Sequence, residues 1–177
     1  MLASAYVVGR NDGPGAALLD VAREAGFVSV QLYAGPGLAE RQAMQTPLLF
    51  FLFATADDIA PLKRAADEVR FSPGRRVRFS PLVYFAESAS LETARAIIDM
   101  GFDDIITPPF NRARVTARLR RLVDRLQVYR ETPSYLGPER GQPDRGQHRR
   151  LEIVRTAKNG VSVLRDEMRR AGQRSAA

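Results

Sequence analysis

MGFDDIITPPF, residues 100–110, decides the fold of this chain. The apolar pair Ile105-Ile106 predicts a short strand, and Pro108-Pro109 ends it in a loop. Asn111 follows as a candidate helix cap. The helix after it is predicted to have an inner apolar stripe of Val115, Leu119, Leu122, Val123 and Leu126. The stretch therefore predicts a last strand that leads directly into a helix.

The same unit of strand and helix recurs through residues 1–128. Further apolar strands are predicted at residues 5–8, 28–33, 47–53 and 81–86, and further helices at 18–25, 38–44, 59–69 and from Ser90 onward. The run 47–53 is apolar on both faces, as is typical of a central strand that helices cover on both sides. Five such units in succession predict an α/β fold with a doubly wound, five-stranded parallel sheet.

The opening stretch closely resembles the last strand and loop of a receiver domain from the two-component response-regulator family. In that family the loop contains a small residue, Asp-Asp, a strand, Thr and then Lys-Pro-Phe, and Pro108 occupies the lysine position here. The resemblance implies the strand order 2-1-3-4-5 and a functional pocket at the carboxyl ends of strands 1, 3 and 5. It also implies that the Pro108–Pro109 peptide bond is cis.

Receiver chemistry needs an aspartate nucleophile, acidic ligands for magnesium, a lysine, and a Ser or Thr. None of these side chains stands at the matching positions of this chain, which are Gly9, Arg10, Leu52, Ala86 and Pro108. Burying a leucine is favourable by roughly 1.5–3 kcal/mol, whereas an unpaired carboxylate in an apolar pocket is costly. We therefore predict a degenerate pocket without a catalytic residue, metal or cofactor, in a protein that is not an enzyme.

Arg10 is the one charged side chain among the five pocket positions. One hypothesis places it where magnesium would bind, paired with Asp12 or with Asp103-Asp104, so that the domain is held in one state. The alternative is an Arg10 exposed to solvent. A register shift of one residue would move Asp12 toward the acidic pair without restoring the other positions. Asp57-Asp58 lies beyond the strand end and is predicted to cap a helix.

Composition excludes several classes of site. The chain has 177 residues, no cysteine and one histidine, His148, so disulfides, thiolate metal sites and histidine clusters are excluded. No apolar run approaches the roughly 18 residues of a membrane helix, which predicts a cytoplasmic protein without a membrane span. The formal charge is +7, and residues 129–177 contribute 11 basic against 6 acidic side chains. The basic character is therefore concentrated in the tail.

The tail is predicted to differ in structure from the first 128 residues. Residues 129–150 are rich in Pro, Gly and Arg and are predicted to form an extended or disordered linker. Tyr135–Arg140 weakly resembles a short element in tails of bacterial receiver-like proteins. Residues 151–177 are predicted to form an amphipathic helix, from the spacing of Leu151, Val154, Ala157, Val161, Leu164 and Met168.

Two functions are compatible with these patterns. The first is a phosphorylation-independent signalling adaptor that binds another signalling protein. The resemblance also allows a homodimer through the fourth helix, fifth strand and fifth helix, where the arginines of the last helix could either meet acids such as Asp99 and Asp103 or repel a second copy. The second is a module that binds a cyclic dinucleotide or nucleic acid, because clustered arginines make bidentate phosphate contacts. The residues predicted to bind a partner or an anionic ligand are Arg118, Arg121, Arg140, Arg145, Arg149 and Arg150.

Overall fold

The computed structural model describes residues 2–88, 90–140 and 146–170. The first part alternates strands and helices: β1 (Ser4–Val8), α1 (Gly13–Glu24), β2 (Ser29–Leu32), α2 (Pro36–Gln45), β3 (Leu49–Phe53), α3 (Ala60–Arg70), α4 (Arg75–Arg78), β4 (Leu82–Phe85), α5 (Leu91–Asp99), β5 (Asp104–Ile106) and α6 (Arg112–Arg120). The second part consists of the strands β6 (Leu126–Thr132), β7 (Tyr135–Pro138), β8 (His148–Thr156) and β9 (Gly160–Arg169). No helix among these residues is both long and apolar enough to cross a membrane.

The first five strands form a parallel sheet in the order β2-β1-β3-β4-β5. This order confirms the predicted doubly wound sheet. β3 lies at the centre, and its register pairs Val8 with Phe53 on one side and Phe51 with Leu82 on the other. All five residues of β3 are buried, as the apolar run predicted.

Helices cover both faces of this sheet, so it has two apolar cores. The core on one face contains Leu18 of α1, Phe50 of β3 and Leu119 of α6. The core on the other face includes Phe51 of β3 and Ile97 of α5. Successive side chains of β3 therefore point into different cores, and this strand is apolar throughout because both of its faces are covered.

Local signals in the sequence locate several loops and helix ends correctly. The side chain of Ser90 accepts a hydrogen bond from the N–H of Thr93, and that of Asn111 accepts one from Arg114, both at 3.0 Å. The Pro108–Pro109 bond is cis, as predicted. The prediction that Leu126 continues the stripe of the last helix is wrong, since α6 ends at Arg120 and Leu126 begins β6.

The tail corrects the predicted linker and helix. Residues 126–140 and 146–169 form a four-stranded antiparallel sheet in the order β7-β6-β8-β9. The predicted linker at 129–150 contains β6 and β7, and β6 begins two residues before the predicted boundary at 128. The predicted helix at 151–177 is replaced by most of β8 and by β9, and residues 171–177 lie outside the described part.

Two signals favoured strands in this region. Leu151, Ile153 and Arg155 alternate with more exposed residues along β8, which is the period of a strand with one buried face. Asn159-Gly160 is a hairpin signal because glycine adopts positive φ readily, and Gly160 has φ +73° in the turn into β9. The apolar residues of this region also fit the spacing of a helix, which is why a helix was predicted. A helix does not account for the turn at Asn159-Gly160.

The two sheets pack closely against one another. A third apolar core joins Phe79, which follows α4, to Tyr129, Leu136, Leu151, Ile153 and Val161 of the antiparallel sheet. Gly137 of β7 lies against Gly101, since an added Cβ at Gly137 would be 2.5 Å from the Cα of Gly101. The antiparallel sheet is therefore packed onto the amino edge of the parallel sheet.

Candidate functional site

An open cleft of about 720 Å³ lies at the carboxyl edge of the parallel sheet. Its lining includes Gly9, Arg10 and Asp12 from the loop after β1, residues 54–58 after β3, and Glu87 after β4. Ligands of doubly wound sheets bind outside the carboxyl ends of the strands. The cleft therefore lies at the carboxyl edge named in the prediction, but the loop after β4 contributes to its lining and the loop after β5 does not.

Leu52 lies in the core and does not line this cleft. β3 ends at Phe53, as the predicted strand at 47–53 does, so Leu52 is the second-last residue of the strand. Leu52 is fully buried in the same core as Phe50. Ala54 follows the strand end, lines the cleft, and donates its N–H to the carbonyl of Val8 at 3.0 Å. The cleft wall therefore has a methyl group at this position.

Ala86 and Pro108 also lie outside the cleft lining. Ala86 is buried after β4, where its N–H donates to the carbonyl of Ile106 at 3.0 Å. Pro108 is exposed in the loop after β5. Of the five predicted pocket positions, the structure thus brings only Gly9 and Arg10 to the cleft.

Arg10 forms an ion pair with Asp12, with 3.0 Å between Nη2 and Oδ2. This is the pairing that the fixed-state hypothesis named first. The Arg10 side chain is 88% exposed, however, as the alternative predicted. Exposed pairs contribute only about 0–1 kcal/mol because water screens them. Asp103 pairs with Arg70, and Asp104 pairs with Arg118. Arg10 therefore pairs with Asp12 rather than with Asp103-Asp104, and the ion pair of Arg10 does not fix the state of the domain through those two aspartates.

The acidic side chains at the cleft do not assemble a metal site. Oδ1 of Asp58 accepts a hydrogen bond from the N–H of Ala60 at 2.9 Å just before α3, but the N-cap position of this helix is Ile59, one residue after the predicted Asp57-Asp58. Within residues 2–88, 90–140 and 146–170, no three His, Cys, Asp or Glu side chains are grouped to hold a metal ion. The cleft lining includes Asp12, Asp57, Asp58 and Glu87, but their carboxylates are not grouped in this way in the described structure.

Asp103 lies at the opposite, amino edge of the parallel sheet, and its side chain is only 1% exposed. Its Oδ2 accepts hydrogen bonds from Nη2 of Arg70 at 2.7 Å and from the N–H of Leu82 at 2.8 Å. Its Oδ1 accepts from Nη2 of Arg155 at 2.9 Å and from the hydroxyl of Tyr129. We call Arg70, Asp103, Tyr129 and Arg155 the buried clamp, because it links the parallel sheet to the antiparallel one.

The two arginines of the buried clamp use their remaining N–H groups on nearby oxygens. Arg70 donates to the carbonyls of Gly101 (2.7 Å), Ser80 (2.8 Å) and Arg78 (3.0 Å). Arg155 donates to the carbonyl of Phe79 at 2.5 Å and to the side chain of Gln127. Both guanidinium groups also lie 5.1–5.4 Å from the centre of the Tyr129 ring, within range of a cation–π contact. The clamp therefore compensates the burial of its arginines with many hydrogen bonds.

Electrostatics favour the charged form of Asp103. Burial alone would raise the pKa of this carboxyl, but the guanidinium groups of Arg155 and Arg70 and the hydrogen bonds from Tyr129 and Leu82 lower it below its usual value. Burial is also the main reason that the pKa of the Tyr129 hydroxyl is raised, which keeps it a neutral donor. The clamp thus contains two cations and one anion at neutral pH.

The depressed pKa of Asp103 predicts acid sensitivity. A carboxyl whose pKa is lower in the folded state contributes stability above its unfolded pKa of about 3.9, and this contribution is lost as the pH falls through the folded pKa. We expect the difference in unfolding free energy between wild type and Asp103→Asn to shrink below about pH 4, by up to ~1.4 kcal/mol per pH unit. Urea denaturation at pH 7 and pH 3 measures it, and a difference that stays constant would contradict the assignment.

Asp104 is directed to the neighbouring helix. Both of its oxygens accept hydrogen bonds from Arg118 of α6, with 2.9 Å between Nε and Oδ2. Arg118 also donates to the carbonyl of Ile105 at 3.1 Å. The hydrogen bond that Arg118 donates to Asp104 is the main reason that the pKa of Arg118 is raised. The two aspartates of residues 100–110 therefore bind different arginines. Asp103 binds Arg70 and Arg155 of the buried clamp, and Asp104 binds Arg118.

The sheet order β2-β1-β3-β4-β5, with helices on both faces, decides the fold assignment. The amino-terminal domain is receiver-like. No family profile matches the chain. No curated protein matches it either.

Three solved structures are similar to the receiver-like domain. A putative response regulator from Chloroflexus aurantiacus is 17% identical, with a TM-score of 0.45, over 67% of this chain and 94% of that chain. A response regulator from Desulfuromonas acetoxidans is 20% identical, with a TM-score of 0.43, over the same shares. A response regulator in red light signalling of R. palustris is 14% identical, with a TM-score of 0.40, over 67% of this chain and 90% of that chain. These values are too low to transfer a function.

Two of the arginines predicted to bind an anion lie on β8 and already meet carboxylates. Arg149 contacts Asp166, with 3.1 Å between Nε and Oδ1, and Glu131 at 3.4 Å. Arg150 contacts Glu139 at 3.1 Å and Glu152 at 2.6 Å. Both guanidinium groups are therefore already paired with carboxylates of the same chain.

The other predicted arginines lie in separate places. Arg140 donates to the carbonyls of Phe102 and Asp103, next to the buried clamp. Arg118 is engaged by Asp104, whereas Arg121 is exposed after α6. Arg145 lies outside the described residues. Anion binding by this set remains a prediction without a structural observation in its favour.

Proposed function

We propose that this protein is a signalling adaptor whose receiver-like domain acts without phosphorylation. The observation that carries the proposal is the composition of the cleft, where Gly9 and Ala54 stand at the ends of the central strands and no acidic metal cluster is formed by the described residues. Phosphoryl transfer to a carboxylate needs a positioned nucleophile and charge compensation. The fold is preserved although Gly9 and Ala54 stand where the strand ends would present carboxylates, which favours a role for its surface.

The outer side of α6 supports binding to an acidic protein partner. Its exposed arginines are Arg112, Arg114 and Arg120, and Arg121 follows the helix end. Arginine makes bidentate contacts with carboxylates, so a basic face of this kind is complementary to a surface rich in Asp and Glu. We infer that the partner is another signalling protein, which contacts the α5-β5-α6 face.

Reaction with a small phosphate donor tests the phosphorylation-independent part of the proposal. We expect the intact mass of the full chain to stay unchanged after incubation with acetyl phosphate and Mg²⁺, because the cleft offers no strand-end carboxylate. A receiver domain that retains its aspartate is the positive control in the same reaction. Addition of one phosphoryl group to a cleft residue would overturn the proposal.

Paired variants test the proposed partner surface. Arg112→Glu with Arg114→Glu should abolish recovery of a protein partner captured from the native cell, whereas Arg23→Glu on the exposed side of α1 should not. Binding that falls steeply with salt and requires nucleic acid would instead favour the anion-binding alternative. Equal recovery with both variants would exclude the α6 face.

A further inference from the structure

A small apolar recess adjoins the cleft at the carboxyl edge of the parallel sheet. Its volume is about 70 Å³. α1 contributes Leu18 and Val21 to its lining, and the ends of β4 and β5 contribute Phe85 and Phe110, whose ring centres are 5.6 Å apart. The residues that line both the recess and the cleft are Pro14, Ala54, Thr55 and Glu87. We call these four residues the mouth of the recess, because they make the two spaces continuous.

Small side chains at two positions leave this space open. Ala17 of α1 and Ala54 after β3 contribute only methyl groups to the lining. Apolar cavities offer water few hydrogen-bond partners, and they bind apolar molecules of matching size. A cavity of about 150 Å³ binds benzene, so about half that volume fits a chain of three or four carbons. The recess therefore has the size and the lining for a short alkyl group.

The mouth of the recess offers two polar groups to a bound molecule. Glu87 is exposed, and its carboxylate pairs with no cation within residues 2–88, 90–140 and 146–170. The hydroxyl of Thr55 lies 3.5 Å from the hydroxyl of Tyr84. Carboxylate and hydroxyl oxygens both accept hydrogen bonds, so these two side chains suit a donor at the mouth.

The charge of the cleft selects the kind of donor. The charged residues in its lining are Arg10, Asp12, Asp57, Asp58 and Glu87. Arg10 pairs with Asp12, so three carboxylates of the described lining remain without a compensating cation. A cleft lined by one sign of charge concentrates ligands of the opposite sign. Its charge therefore favours a cationic ligand over a carboxylate or a phosphate.

We propose that the recess and the cleft together bind a small amphipathic amine. An alkyl chain of three or four carbons occupies the recess, and the protonated amino group lies at the mouth beside Glu87 and Thr55. Burial of the chain supplies most of the affinity, whereas the exposed ion pair with Glu87 mainly sets the orientation, because water screens it. The site does not depend on the proposed adaptor function, since it involves neither the arginines of α6 nor a phosphoryl group.

A series of unbranched amines tests the recess in the full chain. Titration with ethylamine, propylamine, butylamine and hexylamine should shift the amide resonances of Ala17, Val21 and Thr55. The affinity should rise about fourfold for each added methylene up to butylamine and then level off, because the recess is full. Butyrate has a similar chain and the opposite charge, and it should bind about tenfold more weakly than butylamine. Absence of these shifts, equal affinity along the series or equal affinity for butyrate would overturn the proposal.

Two substitutions test where the two ends of the amine bind. Ala17→Leu adds three carbons to an exposed residue that lines the recess, so it should remove the gain in affinity beyond ethylamine. Glu87→Gln should weaken butylamine about threefold to fivefold, whereas Glu24→Gln, a matched change at the exposed end of α1, should not. Thermal unfolding checks the fold of each variant, and the amine series on the wild type decides the proposal where a variant does not fold. An unchanged dependence on chain length in folded Ala17→Leu would overturn the placement in the recess, and equal affinities of the two glutamine variants would overturn the placement at the mouth.

Discussion

Asp103→Asn is expected to lower the free energy of unfolding by about 3–5 kcal/mol, the usual cost of removing one partner from a buried ion pair. The substitution keeps the shape of the side chain but leaves Arg70 and Arg155 as two buried cations without their shared anion. Since natural domains have total stabilities of only about 5–15 kcal/mol, this is a large fraction. Urea denaturation at neutral pH measures the loss.

Asp104→Asn is the matched control for that experiment. It makes the same chemical change one residue away, but Asp104 and Arg118 are partly exposed, with side-chain accessibilities of 18% and 35%. Partly solvated pairs contribute about 1 kcal/mol or less. Equal losses in the two variants would contradict a special role of the buried clamp.

Gly101→Ala is expected to have the second largest effect. Gly101 has φ +87°, a conformation that costs other residues about 1–2 kcal/mol. Its added Cβ would also overlap the carbonyl oxygen of Leu136 in β7, and relieving such overlap typically costs a further ~1–3 kcal/mol. The antiparallel sheet would have to move away from the parallel sheet, which the melting temperature and the near-ultraviolet circular dichroism would detect.

Gly146→Ala separates the two contributions. Gly146 has nearly the same backbone angle, with φ +86°, but an added Cβ there meets no atom within 4 Å in the described structure. Its substitution should therefore cost only the backbone strain. If Gly101→Ala were no worse than Gly146→Ala, the close approach of the two sheets would not contribute to stability.

The parallel sheet could be predicted because its signals are local. The run 49–53 is apolar at every position, and Asn111 caps α6, which begins at the next residue. Each strand of this sheet also leads into a helix that is nearby in the sequence. Such patterns depend on neighbouring residues and on a regular period. The cleft was predicted less accurately, because Leu52 was assigned to the pocket whereas it is buried in β3 and Ala54 lines the cleft instead.

The local signals for the antiparallel sheet conflicted with one another. Leu151 and Ile153 alternate along β8 as in a strand, but Arg155, the next inward residue, is fully buried, and an arginine at such a position argues against a buried face. Its burial depends on Asp103, which lies 52 residues earlier in the chain. An ion pair between two residues that are far apart in the chain leaves no periodic pattern in the sequence, so it cannot be predicted from such a pattern. The hairpin signal Asn159-Gly160 was local, but the helical spacing of the apolar residues competed with it.

The close contact between Gly101 and Gly137, together with the buried clamp, leads us to expect that the two sheets unfold together. Opening either sheet alone would expose charges that the other sheet compensates, which is costly. The N–H of Leu82, which Asp103 binds, would then exchange with deuterium as slowly as the amides at the centre of β8. A chain cut at Val128 would not be a smaller version of this protein, because it would retain Asp103 and lose Arg155.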